Sequence, residues 1–150
     1  MNETLRNVFA LLVGIVAGGL VNMGLVMVGP HVIAPPVGVD MSSVESLQLA
    51  KNSLEPQHFI FPFLAHSIGT FSGAMIAYFL AFQHNHKFVW TVGVFYLVGG
   101  ISAAIMIPAP TCFIVVDLVF AYLTAAWLAI KLGDKIHSLE PPEHLRRDNS

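Results

Sequence analysis

Charge is scarce in this sequence. Only 11% of its 150 residues are Asp, Glu, Lys or Arg, against 55% apolar, and mean hydropathy is +0.71. A soluble domain wets its surface with about 25% charged residues, so a water-facing surface is excluded for most of this chain. Seven Lys and Arg against nine Asp and Glu leave a net charge of -2. Without a basic excess the electrostatic footprint of a nucleic-acid binder is missing. The single cysteine, Cys112, excludes an internal disulfide framework and a cysteine-only metal site. No P-loop, dinucleotide fingerprint, G-x-S-x-G or H-E-x-x-H occurs.

What the sequence has is long apolar runs. A spanning helix needs about 20 mostly apolar residues to cross a hydrocarbon core of about 30 Å. Residues 8–29, 59–82, 88–107 and 111–130 each qualify, with His66 and Asp117 as their only ionisable side chains. Barrel strands would alternate over about ten residues, and these runs are continuous over twice that length. The expected fold is all-α: four transmembrane helices in an antiparallel bundle, one domain over residues 1–132, with a polar tail at 133–150. The first run is too long for a signal core and no A-x-A site follows it, so it reads as a retained helix.

Six of the seven basic residues (Arg6, Lys87, Lys131, Lys135, Arg146 and Arg147) fall on one side of this topology, and only Lys51 on the other. The positive-inside bias then predicts a multi-pass protein with both termini and the His84–Lys87 turn in the cytoplasm. Trp90 and Trp127, near the inner helix ends, fit an interfacial belt. The outer loop, residues 30–58, begins extended at Pro30, Pro35 and Pro36. A short amphipathic helix should follow, with Ser42 and Glu45 at capping-box spacing, Leu47, Ala50 and Leu54 on one face, and Pro56 as its stop. It is expected at the mouth of the bundle or at the lipid interface, with a lid over an outward-facing cavity as the alternative. The tail beyond Lys131, with Glu140, Pro141, Pro142, Glu143, His144, Arg146, Arg147 and Asp148, reads as a solvated end.

Helices in lipid associate through close packing of small residues. Gly14 and Gly18, then Gly69 and Gly73, have GxxxG spacing, and Gly100 with Gly93 and Ala104 forms a stripe on the third span. His66 shares a face with Gly69, Thr70 and Gly73, Asp117 with Ala121 and Ala125, and Asn22 with Gly18. Counted from the predicted outer ends, Asn22, His66 and Asp117 each lie roughly 10 Å deep, with Ser102 slightly above them. One buried polar cluster is therefore expected: Asn22, His66, Ser102 and Asp117. An Asp at mid-membrane costs about 2.5–3.5 kcal/mol on insertion scales, and His66 is its obvious partner. Burial disfavours their charged forms and pairing favours them, so the sequence leaves the position of the proton open. The pair is a clamp that fixes helix register, part of an ion or proton pathway, or a catalytic or metal-binding group.

Other constellations are weaker. His31, Glu55 and His58 are the candidate metal ligands at the outer boundary, with no H-x-x-x-H pair behind them. Met23, Met27, Met106 and Cys112 offer sulfur for Cu(I), but methionine is also routine packing. His84 and His86 read as solvated turn residues. No cofactor follows from the residues.

The runs Glu55-Pro-Gln-His58, Phe61-Pro-Phe-Leu-Ala-His66-Ser-Ile-Gly69-Thr70, Pro108-Ala-Pro110 and Asp117-Leu-Val-Phe-Ala-Tyr122 resemble a family of small bacterial inner-membrane proteins. The resemblance covers most of the chain. It implies a four-helix membrane topology in the bacterial inner membrane and no particular activity. Three functional readings follow. The first is proton or small polar solute transport by the Asp117/His66 pair. The second is a structural or accessory subunit whose glycine stripes bind its own copies or another membrane subunit. The third is an enzyme acting on a lipid or quinone. Besides the lipid bilayer, the expected partner is a second copy or another membrane subunit, because four short-loop helices leave little room for a solute cavity in one monomer.

Overall fold

The computed structural model describes residues 2–84, 86–107 and 109–139, with the backbone alone at His84. Asn85, Pro108 and residues 140–150, including Pro141, Pro142, Glu143, His144, Arg146 and Arg147, lie outside the described residues. Helix α1 spans Glu3–Val32 and starts at Asn2, whose Oδ1 accepts from the Leu5 N–H at 2.8 Å. Pro30 falls in its last turn rather than after it, so α1 runs a few residues past the apolar stretch at both ends. After the short α2 (Val44–Leu49), a 3₁₀ turn at Pro56–Phe59 leads directly into α3 (Ile60–Leu80). A second such turn at Phe82–His84 precedes α4 (His86–Met106), and α5 (Thr111–Phe120) and α6 (Leu123–Ser138) complete the chain. The described residues contain helices and no strand. Four stretches, Glu3–Val32, Pro56–Leu80, His86–Met106 and Thr111–Ser138, are long and apolar enough to cross a membrane.

Helix α3 is the centre of the packing because its side chains are small. Ala65, Gly69, Thr70, Gly73, Ala74 and Ala77 are all buried along it. Helix α1 lies against the glycine side. A Cβ added at Gly73 would meet the Gly14 carbonyl oxygen, one at Gly69 would meet Asn22 and the Gly18 carbonyl oxygen, and one at Gly14 would meet Gly73. The two GxxxG pairs therefore serve each other within one chain. On the other side Ala74, Ala77 and Tyr78 meet Val89 and Val92 of α4 and Ala126, Ala129 and Ile130 of α6 in one apolar core. Gly133 gives Tyr78 its room, since a Cβ there would strike the ring.

Three local readings change. The fourth apolar run is two helices: α5 stops at Phe120, and Tyr122 (φ -111°, ψ -70°) breaks the chain before α6. No proline or glycine causes this break. The side chain of Tyr122 is instead committed back to Asp117. The helix also continues to Ser138, beyond the apolar stretch, through Lys131, Asp134 and Lys135. In the loop, the cap of α2 is Ser43, whose hydroxyl accepts from the Ser46 N–H at 3.3 Å, and Ser42 binds Asp40 instead. The helix ends at Leu49, well before Pro56, which opens the 3₁₀ turn.

Candidate functional site

Helix α3 presents His66 two turns from its start, and α5 presents Asp117 in its last turn, the only buried residue of that helix. His66 Nδ1 lies 2.9 Å from both Asp117 oxygens. The Tyr122 hydroxyl donates to Asp117 Oδ2 at 3.0 Å, and its ring lies 5.5 Å from the His66 ring. Asp117 is 4% exposed, so its carboxyl group finds its hydrogen-bond partners in these two side chains rather than in water. With Nδ1–H given to the carboxylate, the other ring nitrogen, Nε2, is left as an acceptor with no protein partner among the described residues.

That nitrogen belongs to a residue on the wall of a cavity. The cavity, about 140 Å³, lies at the end of the molecule that carries residues 33–59. His66 and Asp117 are the polar side chains of an otherwise apolar lining. Loop residues Met41, Leu47 and Leu54 line it on the loop side. Leu47 is buried, and Gln48 ties the same short helix to the end of α4 by donating to the Met106 carbonyl at 3.1 Å. The amphipathic loop helix thus covers a cavity.

Of the four side chains expected to cluster, His66 and Asp117 are bonded to each other. Asn22 and Ser102 lie with His66 along a groove on the flank between α1 and α4, but neither bonds the pair. The Ser102 hydroxyl donates to the Val98 carbonyl in its own helix, at 2.9 Å. Tyr122 fills the role expected of them. Gly100 makes space for it, because a Cβ at that position would fall on the Tyr122 hydroxyl.

Tyr122 escapes a reading by helical spacing. On a continuous helix, five residues place it about 140° around from Asp117, and only the break at Ala121–Tyr122 brings its hydroxyl back. A second group of the same composition was also missed. At the opposite end Tyr78 donates to Asp134 Oδ1 at 2.8 Å, and His86 Nε2 lies 2.9 Å from the same oxygen. Here Asp134 and His86 are about half exposed. The two charged turns at the end of α6 carried no apolar signal that would have singled out Asp134.

The metal candidates are otherwise engaged. The Glu55 backbone N–H donates to His58 Nδ1 at 2.9 Å, which leaves Nε2–H to donate to the Ala34 carbonyl at 3.3 Å. His31 Nδ1 faces the Met27 carbonyl at 3.1 Å. Among the described residues no three His, Cys, Asp or Glu side chains converge as a metal site. Cys112, Met23, Met27 and Met106 are exposed. No family model, curated protein or solved structure matches this chain.

Proposed function

We propose that this is a multi-pass membrane protein, its four apolar stretches forming an antiparallel bundle with both termini cytoplasmic, that passes protons through the His66–Asp117 pair. The observation that carries this is His66 on the cavity wall, with one ring nitrogen unpartnered among the described residues and the other on a buried carboxyl group. A proton arriving from the cavity binds at Nε2, while Nδ1–H stays on Asp117. The resulting imidazolium is stabilised by the carboxylate, which Tyr122 orients. The apolar lining favours a proton, alone or coupled to another ligand, over a polar solute, which would need more hydrogen-bonding groups than His66 and Asp117 supply.

Two further features support transport. The Tyr78–Asp134–His86 group lies at the cytoplasmic end, with the apolar core of α3, α4 and α6 between the two centres. The core acts as a plug, and the break between α5 and α6 beside Asp117 is the natural hinge for opening it. The bacterial inner-membrane setting and assembly with a second copy or another membrane subunit belong to the same proposal.

The test is proton flux in proteoliposomes that enclose a pH-sensitive dye. His66→Gln and Asp117→Asn keep the shapes of the side chains and should each abolish the flux of the parent protein. Flux equal to the parent's in both variants would reduce the pair to a clamp that fixes α3 against α5.

A further inference from the structure

The cavity beneath the loop and the groove on the flank share a wall. His66 and Gly100 line both. The groove, about 450 Å³, runs between α1 and α4 past Gly19, Asn22, Phe95 and Gly99. It is open sideways: Phe95 and Val98 on its rim are exposed, and a Cβ at Gly99 would meet no atom within 4 Å. In the proposed membrane orientation this opening faces the lipid. The shared wall consists of the His66 ring, Gly100 and the Tyr122 side chain that fills the room beside Gly100.

Three properties define what fits. Size comes first, because an apolar cavity of about 150 Å³ takes up a benzene ring, and this one is about 140 Å³. Charge comes second. Neither space is lined by Lys or Arg, and the cavity already holds the Asp117 carboxylate, so a phosphate or carboxylate head would be buried unpaired. Hydrogen bonding is third. His66 Nε2 is unpartnered, and the Asn22 amide on the groove wall makes no hydrogen bond among the described residues.

We infer that His66 and the two spaces it borders bind a neutral, lipid-dissolved molecule with a hydrogen-bonding ring and an apolar tail, the chemistry of a quinone or quinol. The ring lies against His66 in the cavity and the tail follows the α1–α4 groove to the bilayer, which is also the access route. A quinol hydroxyl donates to Nε2, or a quinone carbonyl accepts from it once it is protonated. The inference rests on the membrane placement and on His66 as the proton-exchanging group, and it concerns binding alone, with no change in the oxidation state of the ligand at this site.

Binding of radiolabelled decyl-tailed benzoquinone to the full protein in phosphatidylcholine nanodiscs tests it, with the tailless ring and decanoate as comparison probes. The tailed ring should bind saturably and decanoate should not displace it. Gly99→Phe fills the groove where no neighbour is met, and should weaken the tailed ring about tenfold or more while changing the tailless ring by less than about twofold. Ala103→Phe, in the cavity wall, should weaken both about tenfold or more. Gly99→Leu replaces Gly99→Phe if the latter fails to give the parent's circular dichroism and thermal transition. Absence of saturable binding to the parent, displacement by decanoate, or unchanged affinity for the tailed ring in a folded Gly99 variant would each overturn the inference. Flux without quinone binding sinks the inference alone, and quinone binding without flux sinks only the proton reading.

Discussion

At the scale of single residues the site depends on a contact between a missing side chain and a tyrosine. Gly100 has no Cβ, Tyr122 occupies the space, and its hydroxyl reaches Asp117. Tyr122→Phe should cost about 1–3 kcal/mol, because one hydrogen bond to a buried carboxylate is lost. Gly100→Ala should cost about 1–3 kcal/mol by overpacking. The methyl group pushes the whole ring aside, so the alanine variant also breaks the hydroxyl contact, and the two effects overlap. Thermal unfolding of both single variants and the double variant forms the cycle that checks this. A double variant whose cost equals the sum of the two would mean the contacts are independent. The His66–Asp117 pairing was legible from residue type, since an aspartate in an apolar run needs a partner and the runs held one histidine. Tyr122 was not legible, because its position on an ideal helix points away from the carboxylate.

At the scale of elements the apolar runs located the four membrane-length stretches well, and the glycine spacing located the face by which two of them associate. Spacing could not say whether those faces meet within one chain or between chains. The contact of Gly14 with Gly73 and of Gly18 with Gly69 places them within the chain. Gly73→Leu should therefore destabilise the folded monomer by about 1–3 kcal/mol or more, since the obstructing atom is a backbone carbonyl that cannot rotate away. Gly24→Leu, where a Cβ meets nothing within 4 Å, is the control and should stay within about 0.5 kcal/mol or gain from helix propensity. Unfolding in mild detergent separates the two. Equal, small effects would mean that α1 and α3 do not depend on close approach. The break between α5 and α6 had no proline or glycine to announce it. It coincides with the Tyr122 side chain that turns back to Asp117.

At the scale of the whole molecule, the loop between α1 and α3 is a cover rather than a connection. One of its turns is held by Asp40, whose carboxylate accepts from the Ser42 hydroxyl at 2.6 Å and the Ser42 N–H at 2.8 Å. These hydrogen bonds, the side-chain one first, hold the Asp40 carboxyl below its ordinary value of 3.8. A lowered carboxyl contributes its stabilisation above the unfolded value and loses it as pH falls through the folded one. Order in the loop should therefore persist at neutral pH and decline on acidification from about pH 4 downward. Hydrogen exchange of the α2 amides, corrected for the intrinsic rate at each pH, reads this out. Asp40→Ala should show the low-pH protection already at neutral pH, and protection equal to the parent's would remove Asp40 from the cover.

The sequence by itself determined the class of this protein: helical, apolar and organised in four membrane-length stretches, with one carboxylate and one histidine inside them. Those properties are sums over single residues or repeats along one helix, and both are local. Only the tertiary structure decided that Asp117 has Tyr122 as its second partner and that a similar Tyr78–Asp134–His86 group forms at the other end. The same holds for the union of loop, cavity and groove around His66. Each joins residues far apart in sequence, or reverses the direction an ideal helix would give a side chain. No spacing rule along the chain encodes that, because it depends on which helix faces which and how closely a missing Cβ lets them approach.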